Sequence, residues 1–423
     1  MRRRTLITAT VLLPFGARVV SAAPAPEAVT PALVEAAKKE GKVTYYTAMD
    51  LSVAEPMAKA FEAKYPGIKV AVERTGAERL FNRIAQEEAS NIRRCDVVNS
   101  SDAAHFIVWK RQDWLAPYLT VEMAENVPAD MRDPDGTFTN QRTHLSPIAY
   151  NTSLIKPEDA PKGFIDLLDP KYAGKLVKGH PGYSGTIMTS TQQTARELGW
   201  GYFEKLAKQK VLQVQSATEP PKKIEAGERA IAVDGSDYLF WMAKERGAPI
   251  EVVQPVEGTP QISNPMAVFK SAPNPNAARP LFGWIMSAEG QAFIVDLSGQ
   301  YPANKLVKAK PGRPALASIK TWREDPVEVL GVPGLAVALG ERLDRGGVRG
   351  GGGHEGASLF GERSIRTVSR SSPNQRTTRP SSGRRMRRRR ARGSSSGSAC
   401  AVPRRQRPRT LTRTRASASR LRT

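Results

Sequence analysis

Lys42-Val43-Thr44-Tyr45-Tyr46-Thr47 begins apolar and ends on aromatic rings and hydroxyls. A strand that opens an α/β domain and delivers polar groups at its carboxyl end is how open sheets present ligand-contacting side chains. What precedes it has the three parts of an export leader: Arg2-Arg3-Arg4, an apolar run from Leu6 to Val20, and small residues Ser21-Ala22-Ala23. Arg3-Arg4 before Thr5-Leu6-Ile7 also fits a twin-arginine address, although Arg18 interrupts the apolar run, so ordinary secretion and the twin-arginine route both stay open. The two features together point to capture of a small molecule outside the cytoplasm.

Outward from that stretch, helix and strand signals alternate. Pro31 to Glu40 reads as a helix that Gly41 ends, as glycine does at a helix C-terminus. Met57, Phe61 and Tyr65 lie four apart and give the next helix an apolar stripe, closed by Pro66-Gly67 before a strand over Ile68 to Val72. Arg74-Thr75 lead through Gly76 into a helix carrying Leu80 and Ile84, and Asp96-Val97-Val98 forms a third strand running into Asn99-Ser100-Ser101-Asp102. This β-α-β-α-β order predicts a parallel sheet with covered faces. The crevice outside its strand ends should then collect Tyr45, Tyr46, Thr47, Asp50, Arg74, Ser100, Ser101 and Asp102. Turn and cap chemistry is the competing use of such residues at any one loop. Because strand neighbours point to opposite faces, one of Tyr45 and Tyr46 is expected to reach the cleft.

A second α/β unit starts near Ser146. His144 to Tyr150 reads as a connecting strand, Phe164 to Asp169 as a short helix stopped by Pro170, and Lys175-Leu176-Val177 as a strand. The loop His180-Pro181-Gly182-Tyr183-Ser184-Gly185-Thr186 then opens a helix through Thr194. Hydroxyls and free N–H groups of Tyr183, Ser184, Gly185 and Thr186 at a helix start form an anion cradle, or simply a glycine turn with an N-cap. Gly182 and Gly185 do not have the spacing of a dinucleotide or P-loop fingerprint. Leu212 to Gln215 runs into Ser216-Ala217-Thr218, and Ala230 to Val233 runs into Asp234-Gly235-Ser236-Asp237-Tyr238. Val252-Val253 and Ala267-Val268-Phe269 are expected to carry the chain back to the first unit, where Ala277 to Ser298 is helical. The passages near 144–150 and 255–267 are the candidate hinges.

Charge divides the chain sharply. Residues 331–423 hold 23 arginines, no lysine and 4 acidic residues, a net +19 of the total +23; the leader adds four arginines, and residues 24–330 are neutral. The basic balance therefore describes the two ends and does not make the folded part a nucleic-acid binder. The Arg/Gly/Ser-rich segment from 329 to 423 cannot bury a core and is expected to be disordered. Lysine never reappears after Lys320, a composition that a GC-rich gene gives when read in a shifted frame, so residues from about Val329 are read as non-native sequence. Taken at face value, Arg384 to Arg392 and Gly350 to Gly353 would instead form a cationic arm for nucleic acid or anionic lipid, and export argues against nucleic acid. Cys95 stands alone in the folded part, Cys400 in the tail, so no intradomain disulfide is expected. No nucleophile elbow, zinc-ligand spacing or nucleophile–base pairing marks an enzyme.

An ordered series of segments carries a family resemblance: Glu35 to Val43, Ala60 to Pro66, Pro117-Tyr118, the Gly185 loop, Ala243 to Gly247, and Ser287 to Ala292. Over roughly residues 30–328 the chain resembles the extracytoplasmic solute-binding proteins of ABC importers, in the branch related to the ferric-ion-binding proteins. The resemblance implies a type II periplasmic binding protein fold. Lobe 1 would be made of residues 30–145 and 265–328, lobe 2 of residues 146–264, with two crossover strands between. It further implies a periplasmic monomer that traps its ligand by hinge closure and delivers it to an inner-membrane permease driven by a cytoplasmic ATPase. Ferric members hold iron with two adjacent tyrosines, helped by a histidine and a glutamate. Here the tyrosine pair matches Asp237-Tyr238, Asp50 stands near the histidine position and Ser101 near the glutamate position. If Fe³⁺ is the transported ligand, Tyr238 and Asp237 are its expected oxygen ligands. An organic anion, phosphorylated or carboxylated, fits these departures at least as well.

Overall fold

The computed structural model describes residues 23–325. The leader up to residue 22, Cys400, and the tail from residue 326 onward lie outside the described residues, and with them the arginine arm and the shifted-frame reading.

In the first lobe, helix α1 (Pro31–Glu40) is capped by Thr30, whose hydroxyl accepts from Leu33 N, and ends on Gly41 at φ 71°, a left-handed conformation that only glycine adopts without cost. Strand β1 (Lys42–Thr47) lies between β2 (Lys69–Arg74) and β3 (Val97–Asn99), parallel to both. Helices α2 (Leu51–Lys64), α3 (Ala77–Ala89), α4 (Ala103–Arg111) and α5 (Val121–Asn126) cover the sheet, with a short strand β4 (Leu115–Ala116) between α4 and α5. Side chains alternate across β1: Tyr45 packs with Met57, Phe61 and Leu281 on one face, and Tyr46 with Phe81, Phe106 and Trp109 on the other. Each such fully buried large side chain contributes roughly 1.5–3 kcal/mol, so the sheet faces are core and leave no room for a ligand.

The expected connecting strand over His144 to Tyr150 is two strands. β5 (Thr139–Leu145) belongs to the first sheet and β6 (Ile148–Asn151) to the second, and the break falls at Ser146-Pro147, where proline supplies no N–H to continue a ladder. The second lobe adds β7 (Leu176–Gly179), α6 (Gly185–Leu198), α7 (Trp200–Ala207), β8 (Leu212–Val214), α8 (Glu219–Glu225), β9 (Ile231–Ala232), α9 (Asp237–Glu245) and β10 (Ile250–Val253). Its five strands run in the order β10-β6-β9-β7-β8. Val252-Val253 therefore does not return the chain to the first lobe; it pairs antiparallel with β6.

The return is made by β11 (Thr259–Phe269), which pairs antiparallel with both β5 and β3. The first sheet is thus parallel over β2-β1-β3 and antiparallel where β11 meets β3, β4 and β5, because β11 re-enters from the other lobe. Helices α10 (Pro275–Met286) and α11 (Ala288–Ser298), separated at Ser287, and strands β12 (Tyr301–Pro302) and β13 (Thr321–Trp322), the latter short and parallel to β11, complete it as the eight-stranded sheet of the described residues. Gln193 of α6 holds the crossover, accepting from Gln261 N at 3.2 Å and donating to Gln261 O at 2.9 Å. Among the described residues no helix is long and apolar enough to cross a membrane.

Candidate functional site

Between the two sheets lies a narrow cavity. Its walls come from beyond the carboxyl ends of the strands, where open α/β sheets bind ligands. The first lobe supplies Ala48, Met49, Arg74, Gly76, Ala77 and Ser101; the second supplies Ser184, Thr186, Ser216, Ala217, Thr218, Ser236 and Tyr238; the crossover strands supply Arg142, His144 and Asn264. Two arginines and no carboxylate line it.

Arg142 is the dominant charge. It is 3% exposed, and its guanidinium donates to amide oxygens only: Asn99 Oδ1 at 3.2 Å, Gln141 Oε1 at 2.5 Å, and Gln300 Oε1. Among the described residues no ion pair includes it, and burial lowers its pKa. A buried cation without an anionic partner is unfavourable until an anion arrives. Arg74 reaches across the cavity to Ser216 Oγ at 3.2 Å, joining the lobes, and its Nε has no partner.

Beside Arg142, His144 is held neutral: burial, reinforced by the Arg142 charge, pushes its pKa down to about 3. Asn264 Nδ2 faces the carbonyls of Arg142 and Ile262, at 3.3 and 3.2 Å, which fixes that amide with its nitrogen inward. Its two protons are shared among three acceptors, of which His144 Nδ1 at 2.9 Å is the nearest, and donation there leaves Nε2–H to donate to Thr186 Oγ1 at 3.3 Å. The Thr186 hydroxyl is left with its own proton to give.

Helix starts complete the ring. The N-termini of α3, α6 and α9 meet the cavity at Gly76-Ala77, Ser184-Thr186 and Ser236-Tyr238; none has a hydrogen bond from its N-cap side chain, although Ser101 Oγ accepts from Thr186 N and Asp237 Oδ1 from Tyr238 N. By contrast Asp50 and Asp102 cap α2 and α4 by accepting from Ser52 N and Ala104 N. The positive ends of the three helix dipoles at the cavity favour negative charge. Tyr238 OH accepts from Asp50 N at 3.3 Å, and burial raises its pKa to about 12.

Of the residues expected at the site, Arg74, Ser101, Ser184, Thr186, Ser216 and Tyr238 line this cavity. Gly185 stands at the contact between lobes, where a Cβ would come within 2.7 Å of Asp102 Cβ. The remainder lie elsewhere. Tyr45 is fully buried in the core, and Tyr46 donates to Glu87 at 3.0 Å beneath the Arg83 guanidinium, so neither ring reaches the cavity. Thr47 donates to Asn99 Oδ1, the acceptor that also holds Arg142, and so supports the arginine from behind. Asp50 and Asp102 are helix caps, Ser100 faces His105, and Tyr183 is exposed under Arg79. Asp237 gives its carboxylate to the backbone N–H groups of Leu145 and Tyr238. Arg142, His144 and Asn264 were not anticipated; the polar run Gln141-Arg142-Thr143-His144 in a buried strand was the available signal.

Burial pushes Asp237 up to about 7, against the lowering effects of its backbone hydrogen bonds and Arg313. Its folded pKa lies above the unfolded value, so between about pH 4 and pH 7 the unfolded chain has released a proton that the fold retains, and stability falls as pH rises through that window. Asp237→Asn should flatten this part of the melting-temperature profile, measured by differential scanning calorimetry; an unchanged slope would show that Asp237 is not its source.

A family model described as bacterial extracellular solute-binding protein matches residues 46–292, more than half of the chain. The chain belongs to that family. Among relatives of this solute-binding protein is a probable ABC transporter periplasmic-binding protein of Sinorhizobium fredii, 23% identical over 278 residues, 64% of this chain and 76% of the relative. Iron uptake protein A1 of Synechocystis is 24% identical over 321 residues, 71% of this chain and 86% of the relative. Two solved structures share the fold. The periplasmic binding protein AfuA of Actinobacillus pleuropneumoniae, with fructose-6-phosphate bound, has a TM-score of 0.65 at 23% identity and covers 73% of this chain and 100% of its own. Iron-bound HitA of Pseudomonas aeruginosa has a TM-score of 0.60 at 23% identity, covering 73% and 99%. The solute-binding protein thus has the type II periplasmic binding fold, with two sheets joined by the β5–β6 and β10–β11 crossovers.

Proposed function

We propose that this solute-binding protein captures a small organic anion, with a phosphoryl or carboxylate head, in the interlobe cavity and delivers it to an ABC permease. Export by the leader would place it in the periplasm. The observation that carries the reading is the cavity wall itself: two arginines, one of them buried without an anionic partner, hydroxyls, three helix N-termini, and no carboxylate. The head sits against Arg142 and Arg74, where charge-assisted hydrogen bonds are strongest, and the hydroxyls of Ser101, Thr186, Ser216 and Tyr238 complete its coordination. Ferric iron needs several anionic oxygens. Here Tyr238 is a phenol whose pKa is raised, Asp237 is spent on backbone N–H groups, and Arg142 would repel the cation. The fructose-6-phosphate held by AfuA shows that this fold accommodates a phosphorylated sugar.

The test is a thermal-shift screen of purified protein against sugar phosphates, phosphonates, small carboxylates, ferric citrate and polyamines. Only a solute that binds the folded state raises the melting temperature. An increase with a phosphorylated or carboxylated anion is expected, and an increase confined to ferric species or polyamines would contradict the proposal.

A further inference from the structure

Behind the first-lobe wall of the cavity, α3 and α4 bring together Glu78, Asp102 and His105, none of which lines the cavity. His105 is 1% exposed, its ring stacked on Phe81 at 4.5 Å and flanked by Trp109 at 5.8 Å. Its Nδ1 stands 3.4 Å from Ser100 Oγ, and its Nε2 lies 3.4 Å from Glu78 Oε1 and 3.7 Å from Asp102 Oδ2. A protonated imidazole between two carboxylates would account for that arrangement in part. It gives Glu78 Oε1, on a residue only 8% exposed, no closer partner than that 3.4 Å contact. It also leaves one formal negative charge uncompensated between the two carboxylates; nearby Glu324, bonded to Ser263 N at 2.9 Å and Ala103 N at 3.4 Å, adds none, because burial pushes its pKa up to about 8. Among the described residues no lysine or arginine forms an ion pair with any of the three.

The spacings have another meaning. Ligands about 2.0–2.2 Å from a tetrahedral zinc ion stand about 3.3–3.6 Å from one another. The 3.4 Å distance from His105 Nε2 to Glu78 falls on such an edge and the 3.7 Å distance to Asp102 lies just beyond it, and all three ligand atoms lie within 4.8 Å of one another. Metal-bound imidazoles characteristically anchor their other nitrogen, as Ser100 does here.

We propose that Glu78, Asp102 and His105 form a binding site for one divalent first-row cation, with Zn²⁺ the ion best suited to one nitrogen and two oxygens. Lobe closure would seal it. Thr186 N donates to Ser101 Oγ at 3.2 Å, and Gly185 packs where its Cβ would meet that of Asp102, so α6 lies directly over the cluster. The site is separate from the solute cavity, and its existence does not depend on the identity of the solute.

The experiment uses the full chain, freed of metal with a chelator, then titrated calorimetrically with Zn²⁺ and analysed for retained metal after gel filtration. One zinc per chain and a raised melting temperature are expected. Glu78→Gln and Asp102→Asn keep the side-chain shapes and should each weaken binding at least about tenfold, the loss that outer-shell changes alone already bring. X-ray absorption of the wild-type zinc complex gives a readout that needs no variant: nitrogen and oxygen neighbours at about 2.0 Å are expected. No retained zinc, sulfur neighbours, or undiminished binding in both folded variants would overturn the proposal.

Discussion

Arg142→Met should lower affinity for the solute at least about 100-fold while leaving the empty protein nearly as stable as before. The two halves of that expectation have different causes. A hydrogen bond to a charged group contributes about 1.5–3 kcal/mol, so two from one guanidinium to an anion are worth about 3–6 kcal/mol, a factor of about 10²–10⁴ in affinity. In the empty protein the same guanidinium is buried against neutral amides of Asn99, Gln141 and Gln300, and replacing a poorly compensated buried charge by a hydrophobic side chain of similar length is often neutral or stabilising. Calorimetric titration and thermal melting of the variant separate the two effects. A variant that melts normally and binds normally would remove Arg142 from the site.

The second large effect concerns closure. Gly76 has φ −64° and ψ 149°, a conformation open to any residue, yet a Cβ there would lie 2.5 Å from the backbone oxygen of Tyr183 in the other lobe. The obstructing atom is backbone and belongs to the partner lobe, so nothing within either lobe can move aside. Gly76→Val should therefore leave each lobe folded, prevent the lobes from meeting, and weaken solute binding about 10- to 100-fold, because contacts such as Arg74 to Ser216 and Ser101 to Thr186 are lost with closure. Small-angle scattering with solute present should show a larger radius for the variant than for the wild type. Affinity within about twofold of wild type, with the same radius, would mean that closure is not needed.

How much of this was legible depends on which physical rule governs each element. Helix α1, its Thr30 and Gly41 ends and the parallel run β2-β1-β3 follow from capping and from alternation, both local properties of the chain. The split between β5 and β6 and the antiparallel β11 depend on which lobe the chain is entering, and short-range pattern does not report that. Tyr45 and Tyr46 show the same limit within the site. Their strand is central and covered on both faces, so their rings became core, and only Ala48 and Met49, past the strand end, reach the cavity. Arg74, Ser101, Ser216 and Tyr238 were legible because they lie at or beyond strand ends, where sheet geometry sends them. Arg142, His144 and Asn264 lie within the crossover strands, whose polar residues look solvated until the two lobes are folded over them.

Native mass spectrometry of the gently purified protein, beside Arg142→Met, addresses the anion-receptor reading most directly. A single small anionic molecule bound one to one, and absent from the variant, is the predicted result. Bare ferric iron, or a neutral or cationic solute retained equally by both proteins, would contradict it.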